Sequence, residues 1–140
     1  MTHISRSAAR TESIAAGLAK KLKRGACVAL YGELSAGKTQ FVRGLVRGLG
    51  LEARAVHSPT FVLLNIYRGK KWTVYHLDAY RVGGSDDFEA IGFSELLEQG
   101  GVVVVEWADR VAELLPKKRI DVKIETTGKR TRKITIERWT

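Results

Sequence analysis

Gly32-Glu33-Leu34-Ser35-Ala36-Gly37-Lys38-Thr39 reads G-x-x-x-x-G-K-[ST], the pattern of a phosphate-binding loop. Just before it, Ala26-Cys27-Val28-Ala29-Leu30-Tyr31 is an apolar strand candidate. Just after it, Gln40 to Leu49 carries apolar residues at 41, 42, 45, 46 and 49, which is helical spacing. Strand, glycine loop and helix in that order separate a working phosphate loop from a chance match. Glycines at 32 and 37 let the backbone turn so that its N–H groups point at an anionic oxygen. The helix beginning near Lys38 adds the positive end of its dipole. Lys38 is expected to reach the β- and γ-phosphates as a point charge, and the Thr39 hydroxyl to coordinate Mg²⁺.

At 140 residues the chain has the length of one domain, 1–140, with a single core. An apolar content of 44% in regular patterns indicates a globular chain. No run approaches the roughly 18 apolar residues of a membrane span. The N-terminal stretch, with Arg6, Arg10 and Glu12, lacks the apolar centre of a signal peptide. The expectation is a cytoplasmic protein with no membrane partner. A lone Cys27 agrees with that, and its place in an apolar run marks a buried structural thiol rather than a nucleophile.

The formal net charge is +9, unevenly spread. From Lys117 to Thr140 there are nine basic residues (117, 118, 119, 123, 129, 130, 132, 133 and 138) against three acidic ones. Such an end favours an acidic partner, nucleic acid foremost. The competing reading is outward strand faces and a hairpin tip that only provide solubility, since no RNA-stacking motif accompanies the charge.

Along the chain, residues 7–23 read as an amphipathic helix with Ala8, Thr11, Ile14, Ala15, Leu18 and Leu22 on one side, closed by Gly25. After the phosphate loop and its helix, Gly50 to Pro59 reads as a connecting loop. Phe61–Tyr67 and Trp72–Leu77 flank Arg68-Gly69-Lys70-Lys71 as a hairpin. Asp78 to Asp87 is polar loop, and one or two helices occupy Phe88 to Gln99, interrupted at Gly92. Val102-Val103-Val104-Val105 reads as a strand buried on both faces. A short helix is expected over Ala108–Leu115, before Pro116. Ile120, Val122 and Ile124, then Ile134 and Ile136, alternate with polar residues as a second hairpin. The predicted fold is α/β: a P-loop NTPase-like domain whose mixed sheet has a parallel centre, helices on both faces and antiparallel hairpin additions.

A phosphate loop needs a second acidic group for Mg²⁺, usually at the end of a neighbouring buried strand. Glu106 follows Val102–Val105 and has that form, although Asp is the commoner residue there. If this strand runs parallel to the first, its carboxyl end brings Glu106 near Thr39; an exposed strand-end acid is the plainer alternative. Trp107 is either a cover for the site or a core residue. Asp78 also ends an apolar strand and starts a loop, a position where carboxylates serve either chemistry or turn capping. His57 and His76 lie near these loops and receive no role.

Taken together, the phosphate loop at 32–39, Ser58-Pro59-Thr60-Phe61, His76-Leu77-Asp78-Ala79-Tyr80-Arg81 and Val-Val-Val-Val-Glu-Trp at 102–107 resemble the TsaE (YjeE) family. That family is the small ATPase component of the bacterial machinery that makes N6-threonylcarbamoyladenosine in tRNA. The resemblance runs over essentially the whole chain. It implies a Mg²⁺-dependent ATP-binding and slowly hydrolysing subunit, with ATP phosphates held by Gly32, Glu33, Leu34, Ser35, Ala36, Gly37, Lys38, Thr39 and Gln40. Thr39 and Glu106 would hold Mg²⁺, with Lys38, Asp78 and Glu106 as the catalytic set and Thr60 on a segment sensing the γ-phosphate. Thr11 and Arg132 match positions expected near the nucleotide. The implied partners are TsaB-type and TsaD-type subunits, with tRNA met directly or through their complex. Glu33, Ser35 and Gln40 depart from the family's usual Asp, Gly and Thr, and Ser35 would restrict the loop's φ angle.

Rival readings remain open on the residues alone. A small-molecule kinase would use the same loop with Tyr80-Arg81, before Gly83-Gly84, as its lid. A nucleotide-regulated RNA-binding module would grip RNA with the basic end. A GTPase fits poorly, because no Asn-Lys-x-Asp motif is present and Asp78 is not followed by x-x-Gly.

Overall fold

The computed structural model of the protein describes residues 1–33, 37–56, 63–80 and 85–139. Within them, β1 (Thr2–Ser5), β2 (Cys27–Tyr31), β3 (Leu64–Arg68), β4 (Thr73–Asp78), β5 (Val102–Glu106), β6 (Arg119–Thr126) and β7 (Arg132–Trp139) form one sheet. Its order is β1-β7-β6-β2-β5-β4-β3. Strands β6, β2, β5 and β4 run parallel, while β3, β7 and β1 pair antiparallel with β4, β6 and β7. The mixed α/β sheet with a parallel centre and two hairpin additions is as the sequence predicts.

The central strands read as unbroken apolar runs because both faces are covered. Val28, Leu30, Val102 and Val104 pack under α1 (Ala8–Ala19) and α2 (Lys38–Gly48). Their neighbours Cys27, Ala29, Val103 and Val105 point the other way. There they meet Phe88 of α3 (Ser85–Ala90), Phe93 of α4 (Phe93–Leu97) and Val111 of a 3-10 segment, Ala108–Leu114. Burial pushes the Cys27 thiol up to about 12, so at neutral pH it stays a thiol, as a structural cysteine should. Helices α1 and α2 lie close enough that a methyl at Gly44 would overlap the Glu12 backbone, and one at Gly48 would lie 2.7 Å from the Ala19 Cβ.

The local start signals are conventional. Ser7 caps α1, its hydroxyl accepting from the Arg10 N–H at 3.0 Å. The helix ends at Ala19, earlier than the predicted 23. The chain leaves it over Lys20–Arg24 so that Gly25, at φ +84°, can turn into β2 and donate its N–H to the Gly101 carbonyl. A 3-10 turn, Ala53–Ala55, sits inside the expected loop after α2. The expected helix over 108–115 is a 3-10 segment broken at Val111 (φ −131°, ψ 32°), the residue that must reach the core from it. Strand β1 was not signalled by sequence: only Ser5 of its four residues is buried, so the segment carries no apolar alternation.

Candidate functional site

The carboxyl ends of the parallel strands converge on one place. Register pairs Leu30 with Glu106 and Glu106 with Asp78, so the end of β2 and both acids lie side by side. Open parallel sheets bind their ligands at this edge. Here the chain enters α2 through Gly37, a left-handed residue at φ +102°. No side-chain hydrogen bond caps α2 among the described residues. Its first-turn N–H groups and dipole therefore suit an anion.

Lys38, the first helical residue, is 6% exposed and donates from Nζ to the Gly32 carbonyl at 2.6 Å. The same ammonium lies 3.8 Å from the centroid of the Trp107 ring. Burial draws the Lys38 pKa down, while Glu106, Asp78 and Asp109 oppose that shift. The lysine and the two acids thus form one electrostatic unit.

Both acids are buried, Asp78 at 2% and Glu106 at 3% exposure. This removes the reading of Glu106 as an exposed strand-end acid. His76 Nε2 lies 2.5 Å from Glu106 Oε2, and His76 Nδ1 lies 3.0 Å from the Tyr67 hydroxyl. An ionised Glu106 can only accept, so Nε2 donates, and in a neutral ring Nδ1 accepts from Tyr67. Three strands, β3, β4 and β5, contribute to this buried line. Asp78 Oδ1 accepts from the Tyr80 N–H at 2.8 Å, and Ala79 N–H donates to the Glu106 carbonyl at 3.0 Å. Asp78 therefore has the turn-capping contact that sequence offered as one of its two readings.

Trp107 takes φ +57°, a left-handed conformation that costs a bulky residue energy. That conformation is what turns its ring back over Lys38 and against Tyr80, 4.7 Å between centroids. The ring lies over the lysine and, partly buried, packs against the second core cluster rather than within it.

Beside Gly37 opens a groove of about 460 Å³ that brings Thr11 and Arg132 together with Gln40. Thr11 is 3% exposed, its hydroxyl 2.8 Å from that of Ser5. Arg6, Lys129 and Arg130 line the same groove and were not singled out as site residues. Thr39 is half-buried in the first turn of α2, Gly32 opens the loop pattern at φ +156°, and Glu33 is exposed. Leu34, Ser35, Ala36 and Thr60 lie outside the described residues, as do His57 and the proposed lid residue Arg81. Sequence reasoning named His76 without giving it a role and did not single out Tyr67. The alternation of β4, which turns His76 to the face opposite Leu77, was the available signal.

A family model described as threonylcarbamoyl adenosine biosynthesis protein TsaE matches residues 5–134. The chain belongs to the TsaE family. It is similar to the tRNA threonylcarbamoyladenosine biosynthesis protein TsaE of Treponema pallidum, 40% identical over 136 residues, covering 97% of this chain and 99% of that protein. The TsaE of Bacillus subtilis is 39% identical over 125 residues, covering 89% and 77%. Among solved structures, Bacillus subtilis YdiB superposes with a TM-score of 0.83 at 30% identity, over 100% of this chain and 86% of that one. Both TsaE relatives are named for a role in tRNA threonylcarbamoyladenosine biosynthesis. Among the described residues, no helix of this TsaE-family chain is long and apolar enough to cross a membrane.

Proposed function

We propose that the chain is a single P-loop ATPase domain that binds Mg²⁺–ATP, hydrolyses it slowly and thereby supports threonylcarbamoyl modification of tRNA adenosine in the cytoplasm. It would do so with a complex of TsaB-type and TsaD-type subunits. The observation that carries the reading is Lys38 held between Gly32, Trp107 and two buried acids at the carboxyl edge of the sheet. Family membership supplies the tRNA context.

The residues fit such a ligand. The first-turn N–H groups of α2 and the loop from Gly32 to Gln40 would cradle the phosphates, including Glu33, Leu34, Ser35 and Ala36. Lys38 would exchange its Gly32 carbonyl for phosphate oxygens, a gain because its charge is held in a desolvated position. Thr39 and Glu106 would hold Mg²⁺, which supplies charge neutralisation at the β- and γ-phosphates. His76 fixes one Glu106 oxygen and so orients the carboxylate. Asp78, tied to the Tyr80 N–H, would position the attacking water or the metal's hydration. Thr11 and Arg132 would line the nucleoside end, and Thr60 would sense the γ-phosphate. Hydrolysis would then act as a switch, through Thr60 and Asp78, that the partner subunits would read.

The test is the threonylcarbamoyladenosine content of tRNA in cells depleted of the protein and supplied with wild type or Lys38→Ala. The expected result is a fall restored by the wild type alone. An unchanged level after verified depletion would sink the proposal and favour a small-molecule phosphoryl acceptor.

A further inference from the structure

The amino ends of the same parallel strands form a second basic region, remote from the phosphate loop. Antiparallel pairing explains how it arises. Register sets Arg119 opposite Trp139 and Thr126 opposite Arg132, so the basic C-terminal segment is divided between the two edges of the sheet. Arg132, with Lys129 and Arg130, goes to the groove beside the phosphate loop. Lys118, Arg119 and Arg138 go to the opposite edge, where Lys21, Lys23 and Arg24 join them around a groove of about 360 Å³.

Of these six cations, only Arg119 is paired with a carboxylate among the described residues, at 2.9 Å from Asp121. Trp139 stands on the groove at 48% exposure. Its ring is not a loose apolar side chain, because Nε1 donates to Asp121 Oδ2 at 2.7 Å. Asp121 also accepts from Arg119 and, at 3.2 Å, from the Tyr31 hydroxyl. The Arg119 guanidinium lies 5.6 Å from the indole centroid. One half-buried carboxylate thus orients an arginine over one side of a tryptophan that remains about half exposed.

We propose that this amino-edge groove is a direct RNA-binding surface, taking the phosphate backbone of tRNA along its cations and stacking an unpaired base on Trp139. Uncompensated cations from two parts of the chain suit a polyanion more than a single carboxylate. A fixed, exposed indole whose N–H is already satisfied offers a π-face to a base. The choice of tRNA as occupant rests on the modification role proposed above, and the binding itself needs no nucleotide hydrolysis.

The experiment is fluorescence anisotropy of a labelled, unmodified tRNA transcript titrated with the full chain, without ATP, over a series of salt concentrations. Lys118→Glu with Arg138→Glu should weaken binding at least about tenfold and lower the log–log salt slope by about 1.5, two phosphate contacts' worth. Lys118→Gln with Arg138→Gln, milder toward folding, should weaken it in the same direction. Trp139→Ala should weaken it several-fold with the salt slope unchanged. ATP turnover should remain at the wild-type level in all three, which keeps this proposal separable from the ATPase reading. Wild-type affinity in the charge variants would overturn the inference. If those variants instead lost the TsaB-type and TsaD-type subunits, the groove would be a protein interface. Loss of RNA only in Lys129→Glu with Arg130→Glu would place the RNA at the other edge and equally overturn it.

Discussion

The two edges of this sheet handle charge in opposite ways. At the carboxyl edge, Asp78, Glu106 and Lys38 are at most 6% exposed, and His76, which holds Glu106, is fully buried. At the amino edge the cations stay at the surface, and the one ion pair there among the described residues, Arg119 with Asp121, has side chains 23% and 18% exposed. Buried charges must be satisfied by specific partners, which fixes geometry and makes each partner costly to remove. Surface charges act through their summed field and tolerate single losses. The contrast suits a site that does chemistry and a surface that gathers a large anion.

The strongest way to break this comparison is at the buried line. His76→Ala should cost about 3–5 kcal/mol, because Glu106 is left buried without its donor and a cavity opens beside Tyr67. Urea unfolding measures it, and a loss under 1 kcal/mol would mean that Glu106 finds water or relaxes outward. Lys38→Ala should reduce ATP turnover by roughly 10²–10³-fold, the scale of removing one preorganised charge from a transition state. The same change should leave the fold as stable as before or more stable, since burial disfavours the ammonium. A large drop in melting temperature would show that the lysine is structural.

Cys27 sharpens the comparison through pH. Its folded pKa of about 12 exceeds the ordinary 9.0, so below pH 9 both states hold the proton and the thiol does not make stability depend on pH. Above that the unfolded chain loses its proton first, and stability falls with rising pH by up to about 1.4 kcal/mol per unit until the folded thiol also ionises. The difference in unfolding free energy between wild type and Cys27→Ala, followed from pH 8 to 10.5, should shrink accordingly. A constant difference would contradict the burial. The smallest effect is expected for Arg119→Ala, about 0.2–1 kcal/mol by the same unfolding measurement, as for a partly exposed pair. A value near that of His76→Ala would erase the distinction between the edges.

The sequence alone was enough for the strand and the helix on either side of the glycine pattern, both hairpins, the doubly covered strand Val102–Val105 and the strand ends that carry Asp78 and Glu106. Each is a local pattern: glycine spacing, alternation about a turn, an unbroken apolar run, a carboxylate where such a run ends. Tertiary structure alone decided the rest. Strand β1 has no apolar signature and exists because β7, some 130 residues later, offers it an edge. His76 meets Glu106 only because β4 and β5 pair in parallel, two positions short of the in-register partner of Glu106. Trp107 covers Lys38 only because the backbone adopts an unfavourable φ at the end of β5. The basic C-terminal segment was visible as charge, and its division into two edges follows from a hairpin that reverses direction between Thr126 and Arg132. Local propensity is written in neighbours along the chain; the meeting of distant polar groups depends on register and burial, which are properties of the assembled sheet.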